Sequence, residues 1–175
     1  MPEYCIQAAM FQLPFLFVNR FVHDFWILRE VESKKVVAQL HGLATSRKTG
    51  NIVAIGYSRE HSLKAHCITY DADFADLHGL QLGSFALPIH AFHTVYTNKD
   101  CLEHWLRIKA ALEVINNLDL DYPPGGFSIP WSSTINSNSI YHTFSQVMDI
   151  PLHIFRGVVQ IGIQTSIYER IKNFL

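Results

Sequence analysis

Two neighbouring apolar segments constrain the fold of this chain more than any other feature. FVHDFWILR (21–29) and KVVAQLHG (35–42) are rich in aromatic and β-branched residues, and the polar VESKK between them can turn. Together they predict an antiparallel hairpin. Alternation places His23, Phe25 and Ile27 on one face of the first strand, and His41 stands at the end of the second, just before Gly42. Whether the two imidazoles share a face depends on register.

Further strands are expected in IVAIGY (52–57), KAHCITYD (64–71) and PIHAFHTVY (88–96). The clearest helix begins at Asp100, where Asp100 and Glu103 form a D-x-x-E variant of the capping box. Leu102, Trp105, Leu106, Leu112 and Ile115 then recur at helical spacing until Asn116-Asn117 closes the run. DYPPGGFSIPWSS (121–133) holds three prolines and two glycines, which no regular element tolerates, so it reads as a loop anchored by Tyr122, Phe127, Ile129 and Trp131. The last twenty residues predict a strand and a short helix. The class is α+β, a small antiparallel sheet packed against helices, in a single domain over 1–175.

Composition removes several functions. With 14 Lys+Arg against 15 Asp+Glu, and the basic residues scattered, no electrostatic footprint for nucleic acid is present. FQLPFLFV (11–18) is too short for a transmembrane segment, is interrupted by Pro14, and lacks the preceding basic residues of a secretory signal. The expected location is therefore the cytoplasm of the producing cell, or export without a cleaved signal peptide. Cys5, Cys67 and Cys101 lie far apart without C-x-x-C spacing and read as free thiols. Of ten histidines only His90 and His93 come close enough to share a ligand, but positions three apart on a strand face opposite sides, so no metal and no cofactor is expected.

The remaining signal is TINSNSIYHTF (134–144), where four alternating Asn and Ser residues precede an amphipathic run. With a helix starting near Asn138, Ile140, Tyr141, Phe144, Val147 and Met148 form a buried stripe, and Ser137 sits at or beside the N-cap. Free backbone N–H groups and the positive end of the helix dipole converge there, which suits both an anion and a nucleophile whose attack creates an oxyanion. One cap satisfies the helix. Four small polar residues exceed that need.

A histidine on an early strand (His23 in VHDFWILRE), a second on the next (His41 in AQLHG) and a late N-S-N-S-I-Y helix start resemble the circularly permuted branch of the papain-like NlpC/P60 superfamily, which includes the lecithin retinol acyltransferase-like proteins. In that branch a Cys opens the helix within N-C-x-x-F. Asn136 corresponds to the Asn, Ser137 to the Cys and Ile140 to the Phe, while His23 matches the base and His41 the orienting group. The resemblance implies a permuted papain-like fold and a hydrolase acting on an amide or ester. Asn136 and Asn138, on either side of Ser137, are expected to shape the oxyanion hole or hold the substrate, and Trp131 precedes the motif closely enough to line the pocket. Serine at the nucleophile position departs from the family. A serine cannot work as a resident thiolate and needs a base during attack; the alternative is an inactive binding or adaptor module using the same pocket. LHGLATSRKTGNIVAIG with PPGGF and NSNS also resembles a bacterial family associated with secreted effectors or toxins. That likeness implies a peptidoglycan peptide or lipid substrate in another cell, and a cognate immunity or delivery protein as partner.

Overall fold

A computed structural model describes residues 2–14, 20–53, 56–83, 85–128 and 134–175. The strands are β1 (Tyr4–Gln12), β2 (Val22–Glu30), β3 (Val36–Ser46), β4 (His61–Thr69), β5 (Gln81–Leu82) and β6 (Ala91–Tyr96). The helices are α1 (Ala72–His78), α2 (Cys101–Leu106), α3 (Ile108–Asn117), α4 (Ser137–Met148) and α5 (Tyr168–Ile171). The fold is α+β, and its six-stranded sheet has the order β5-β4-β3-β2-β1-β6, antiparallel except for the β4–β5 pair. Among the described residues no helix is long and apolar enough to cross a membrane.

The predicted hairpin forms, with Trp26 opposite Leu40 and Leu28 opposite Ala38. One sheet face, with Trp26, Leu28 and Leu40, packs on Ile140, Tyr141 and Phe144 of α4 and on Trp105 and Ile108 of α2 and α3. Trp26 anchors this contact: its indole stacks on the Tyr141 ring at 4.5 Å and donates from Nε1 to the Tyr141 carbonyl at 2.9 Å. On the opposite face, Ala9, Phe25 and Ile27 are covered by Phe11, Leu87 and Ile89.

Two features of the sheet create the site. The β1–β2 ladder runs the whole length of both strands and β3–β4 continues to Ser46, but β2 and β3 pair only from Trp26 to Arg29. The strands therefore part at Trp26, and the start of α4 meets the freed edge of β2. Asn138 takes over the missing ladder: its Oδ1 accepts from the Asp24 N–H at 2.9 Å, and its Nδ2 donates to the Val22 carbonyl at 3.1 Å. On the β3 side the helix comes so close at Gly42 that a Cβ there would lie 2.5 Å from that of Ile140.

Several local expectations differ from this fold. β1 was not apparent as a strand because it is buried on both faces and loses the alternation that marks a half-buried one. The helix from Asp100 is two helices meeting at Arg107, and Asp100 makes no cap hydrogen bond. Its carboxylate instead accepts from the Tyr96 hydroxyl at 2.8 Å and faces His104. Ile52 makes an isolated bridge to Thr45, and Val53, Gly56 and Tyr57 form no strand, residues 54–55 of the expected strand lying outside the described residues; the C-terminal region contributes only a bridge from Val159 to Phe21 before α5. In the proline-rich loop Tyr122 is a buried anchor but Phe127 is exposed; Ile129 and Trp131 lie outside the described residues.

Candidate active site

The polar run at the start of α4 divides its labour. Asn136, not Ser137, is the N-cap: its Oδ1 accepts from the N–H groups of Asn138 at 2.9 Å and Ser139 at 3.4 Å. The Ser139 hydroxyl closes a capping box by accepting from the Asn136 N–H at 3.1 Å. The Asn136 amide also donates to the carbonyls of Gly126 and Ile161, tying the helix start to two loops. Gly162 passes so close, at φ +84°, that a Cβ there would be 2.4 Å from Asn136 Oδ1. With Asn138 on the β2 edge, three of the four polar residues serve structure.

Ser137 is the remainder. As the first helical residue it is 8% exposed; its backbone N–H has no acceptor among the described residues, and its hydroxyl meets the phenol of buried Tyr122. Burial raises the Tyr122 pKa, the contact with Ser137 opposing, so the phenol stays protonated at neutral pH. A free N–H at the positive end of a twelve-residue helix is a ready donor to an oxyanion.

His23 and His41 share a face, as the hairpin alternation allows. His23 Nε2 and His41 Nδ1 are 3.1 Å apart, with the rings nearly parallel, and Phe25 stacks on both. His41 Nε2 lies 3.0 Å from Gln39 Oε1. Nδ1 of His23 has no hydrogen-bond partner among the described residues. Burial pushes the His23 imidazole down to about 4; His41 is held well below its ordinary range by burial and by the neighbouring His23 and His66. Both rings are neutral at pH 7.

His23, Asn136, Ser137 and Asn138 border one cavity of about 520 Å³, a size typical of small-molecule sites. The rest of its wall is largely apolar, including Phe11, Phe21, Phe85, Leu87, Val159 and Ile161, and none of the described residues that border it carries a formal charge. Tyr122, Gly125, Gly126 and Phe127 bring the proline-rich loop to the wall. Comparison with protein-family models, curated proteins and solved structures finds no match to this chain.

Ser137 and His23 thus line one cavity with no hydrogen bond between them, and His41 stands behind His23. Asn136 and Asn138 border the same space, but their amides are engaged in capping and strand pairing. Trp131 lies outside the described residues. His90 and His93 have separate surroundings: His90 Nδ1 accepts from the Gln12 N–H at 3.0 Å, while His93 stacks on His153 at 4.2 Å. No group of three or more His, Cys, Asp or Glu among the described residues is placed to hold a metal. Cys5, Cys67 and Cys101 are buried free thiols, and burial pushes Cys67 and Cys101 up to about 12.

Asp24 points away from His23, as strand alternation requires. Its carboxylate accepts from Gln160 Nε2 at 2.7 Å, and its other oxygen is buried without a partner. Gln39 escaped the sequence reading although it stands two residues before His41 on the same strand face; that spacing was the available signal. Tyr122, expected as a loop anchor, also lines the cavity.

Proposed function

We propose that the chain is a serine acyl hydrolase of the permuted papain-like type, acting on an ester or amide with a hydrocarbon substituent. The observation that carries this is the position of Ser137: it borders the same cavity as His23, and its backbone N–H has no acceptor among the described residues. In the attack the Ser137 hydroxyl proton passes to His23 Nδ1 as Oγ bonds to the carbonyl carbon and the carbonyl π pair moves to oxygen. The Ser137 N–H donates to that oxyanion. Collapse breaks the bond to the leaving group, which takes the proton from His23, and water then frees the acyl group by the same sequence.

Neutral His23 suits this task because its lone pair is available throughout the neutral range. The imidazolium and the oxyanion form together in a dry site, where each offsets the other's charge. The order of elements, base strand first and nucleophile helix last, is the order that the resemblance to the permuted papain-like branch implies. The uncharged wall favours a lipid-like substrate over a peptidoglycan peptide, whose carboxylates and amines would be desolvated without partners.

The low basicity of His23 favours a second reading, a binding module that holds the same kind of ligand without turnover. A fluorophosphonate probe separates the two. The hydrolase reading expects a covalent adduct on Ser137, located by peptide mass spectrometry, together with turnover of p-nitrophenyl octanoate that Ser137→Ala and His23→Ala each reduce at least 100-fold. Wild-type protein that neither takes the label at Ser137 nor turns over the ester leaves the binding module.

A further inference from the structure

The two imidazoles can act as base and orienting group only if their protons sit on particular nitrogens, and one residue outside the expected triad decides this. Gln39 is 3% exposed, and its amide is bound twice by the backbone of a single residue, Leu87: Nε2 donates to the Leu87 carbonyl, and Oε1 accepts from the Leu87 N–H, each at 3.2 Å. A backbone N–H cannot accept and a carbonyl cannot donate, so the amide has only one orientation with both bonds made. Its oxygen is therefore the atom that faces His41 Nε2 at 3.0 Å. An amide oxygen only accepts, so in neutral His41 the proton is on Nε2 and Nδ1 is bare. A bare Nδ1 3.1 Å from His23 Nε2 in turn requires the His23 proton on Nε2, which leaves His23 Nδ1 with its lone pair.

We propose that Gln39, locked by the backbone of Leu87, is a positioning residue that sets the tautomers of His41 and His23 and so keeps His23 Nδ1 bare for the serine proton. This deepens the hydrolase reading and rests on it for the kinetic consequence, though not for the tautomers themselves. The reversed arrangement would put N–H on His23 Nδ1, where it could take no proton from Ser137. Leu87 and Phe85 also border the cavity, so the segment that fixes the amide is part of the substrate wall. Among the described residues, Phe25 and Phe85 contact the His41 ring, and His66 on β4 lies opposite His41, with Nε2 3.0 Å from the Thr45 hydroxyl. The other titratable neighbour is Lys64, which acts on His66.

Nitrogen-15 NMR of the histidine side chains in the substrate-free wild-type protein reads the tautomers without any substitution. The expected result is Nε2–H on both His23 and His41, with both Nδ1 atoms bare; Nδ1–H on either ring overturns the proposal. Gln39→Leu, which removes the acceptor, is expected to mix the His41 tautomers and to lower kcat on p-nitrophenyl octanoate at least tenfold with KM within twofold. Gln39→Glu keeps an acceptor beside Nε2 and is expected to retain the wild-type tautomers and to shift the acid limb of the rate profile upward. Unchanged tautomers and an unchanged pH profile in Gln39→Leu overturn the assignment. The predicted tautomers in a wild-type protein that turns over no ester support Gln39's role and overturn only the hydrolase reading.

Discussion

Asp24→Asn tests whether the strand that carries His23 is held against the rest of the site as described. Asp24 is fully buried; Gln160 is its hydrogen-bond partner, and burial raises its carboxyl from an ordinary 3.8 to about 7, with the Gln160 bond opposing. Between those values the folded chain keeps a proton that the unfolded chain has released. Stability from this group is therefore greatest at low pH and is lost as pH rises to about 7. Three pKa units correspond to about 4 kcal/mol. His23 runs the other way: its value falls from 6.5 to about 4, so the fold excludes a proton that the unfolded chain binds, and stability rises by about 3 kcal/mol over that window. In the wild type the two slopes largely cancel from pH 4 to 6.5.

Asparagine keeps an oxygen for Gln160 and abolishes the Asp24 titration, but it leaves an amide where a buried carboxylate oxygen already lacked a partner, costing about 1–3 kcal/mol at every pH. Asp24→Asn is therefore expected to be less stable than wild type by about 1–3 kcal/mol at pH 4 and more stable by a similar amount, about 1–3 kcal/mol, at pH 8. Guanidinium unfolding at pH 4, 5, 6, 7 and 8 measures the difference directly. A constant offset across the series, with no crossing, refutes the buried titration and the geometry behind it.

Gly42→Ala places a methyl 2.5 Å from the Ile140 Cβ, an atom that no residue but glycine lacks, and is expected to cost about 1–3 kcal/mol; a thermal melt unchanged from wild type would contradict the close approach. Asn138→Ala leaves the Asp24 N–H and the Val22 carbonyl unpaired, so the Asp24 amide should lose hydrogen-exchange protection ahead of the Trp26 amide, and equal protection of the two would refute Asn138's place on the strand edge. With His23 at about 4, kcat/KM on a neutral ester should stay level from pH 8 to about pH 5 and fall only below that; a fall centred near 6.5 would mean an ordinary, solvated base.

Local chemistry settled much of this protein in advance. Aromatic and β-branched runs on either side of a polar turn made a hairpin with His23 and His41, because alternation depends only on the chain's own period. Small polar residues before an apolar stripe made α4 and put Ser137 in its first turn, because capping is satisfied within four residues. Only the tertiary structure decided which of those residues is the cap, which mends the strand edge and which is left facing a cavity, since partners such as Val22, Gly126 and Ile161 are distant in sequence. Gln39 entered the relay through Leu87, 48 residues away. The parting of β2 from β3 was equally invisible, because a ladder that stops at Trp26 is set by the helix packed beside it and not by the composition of either strand.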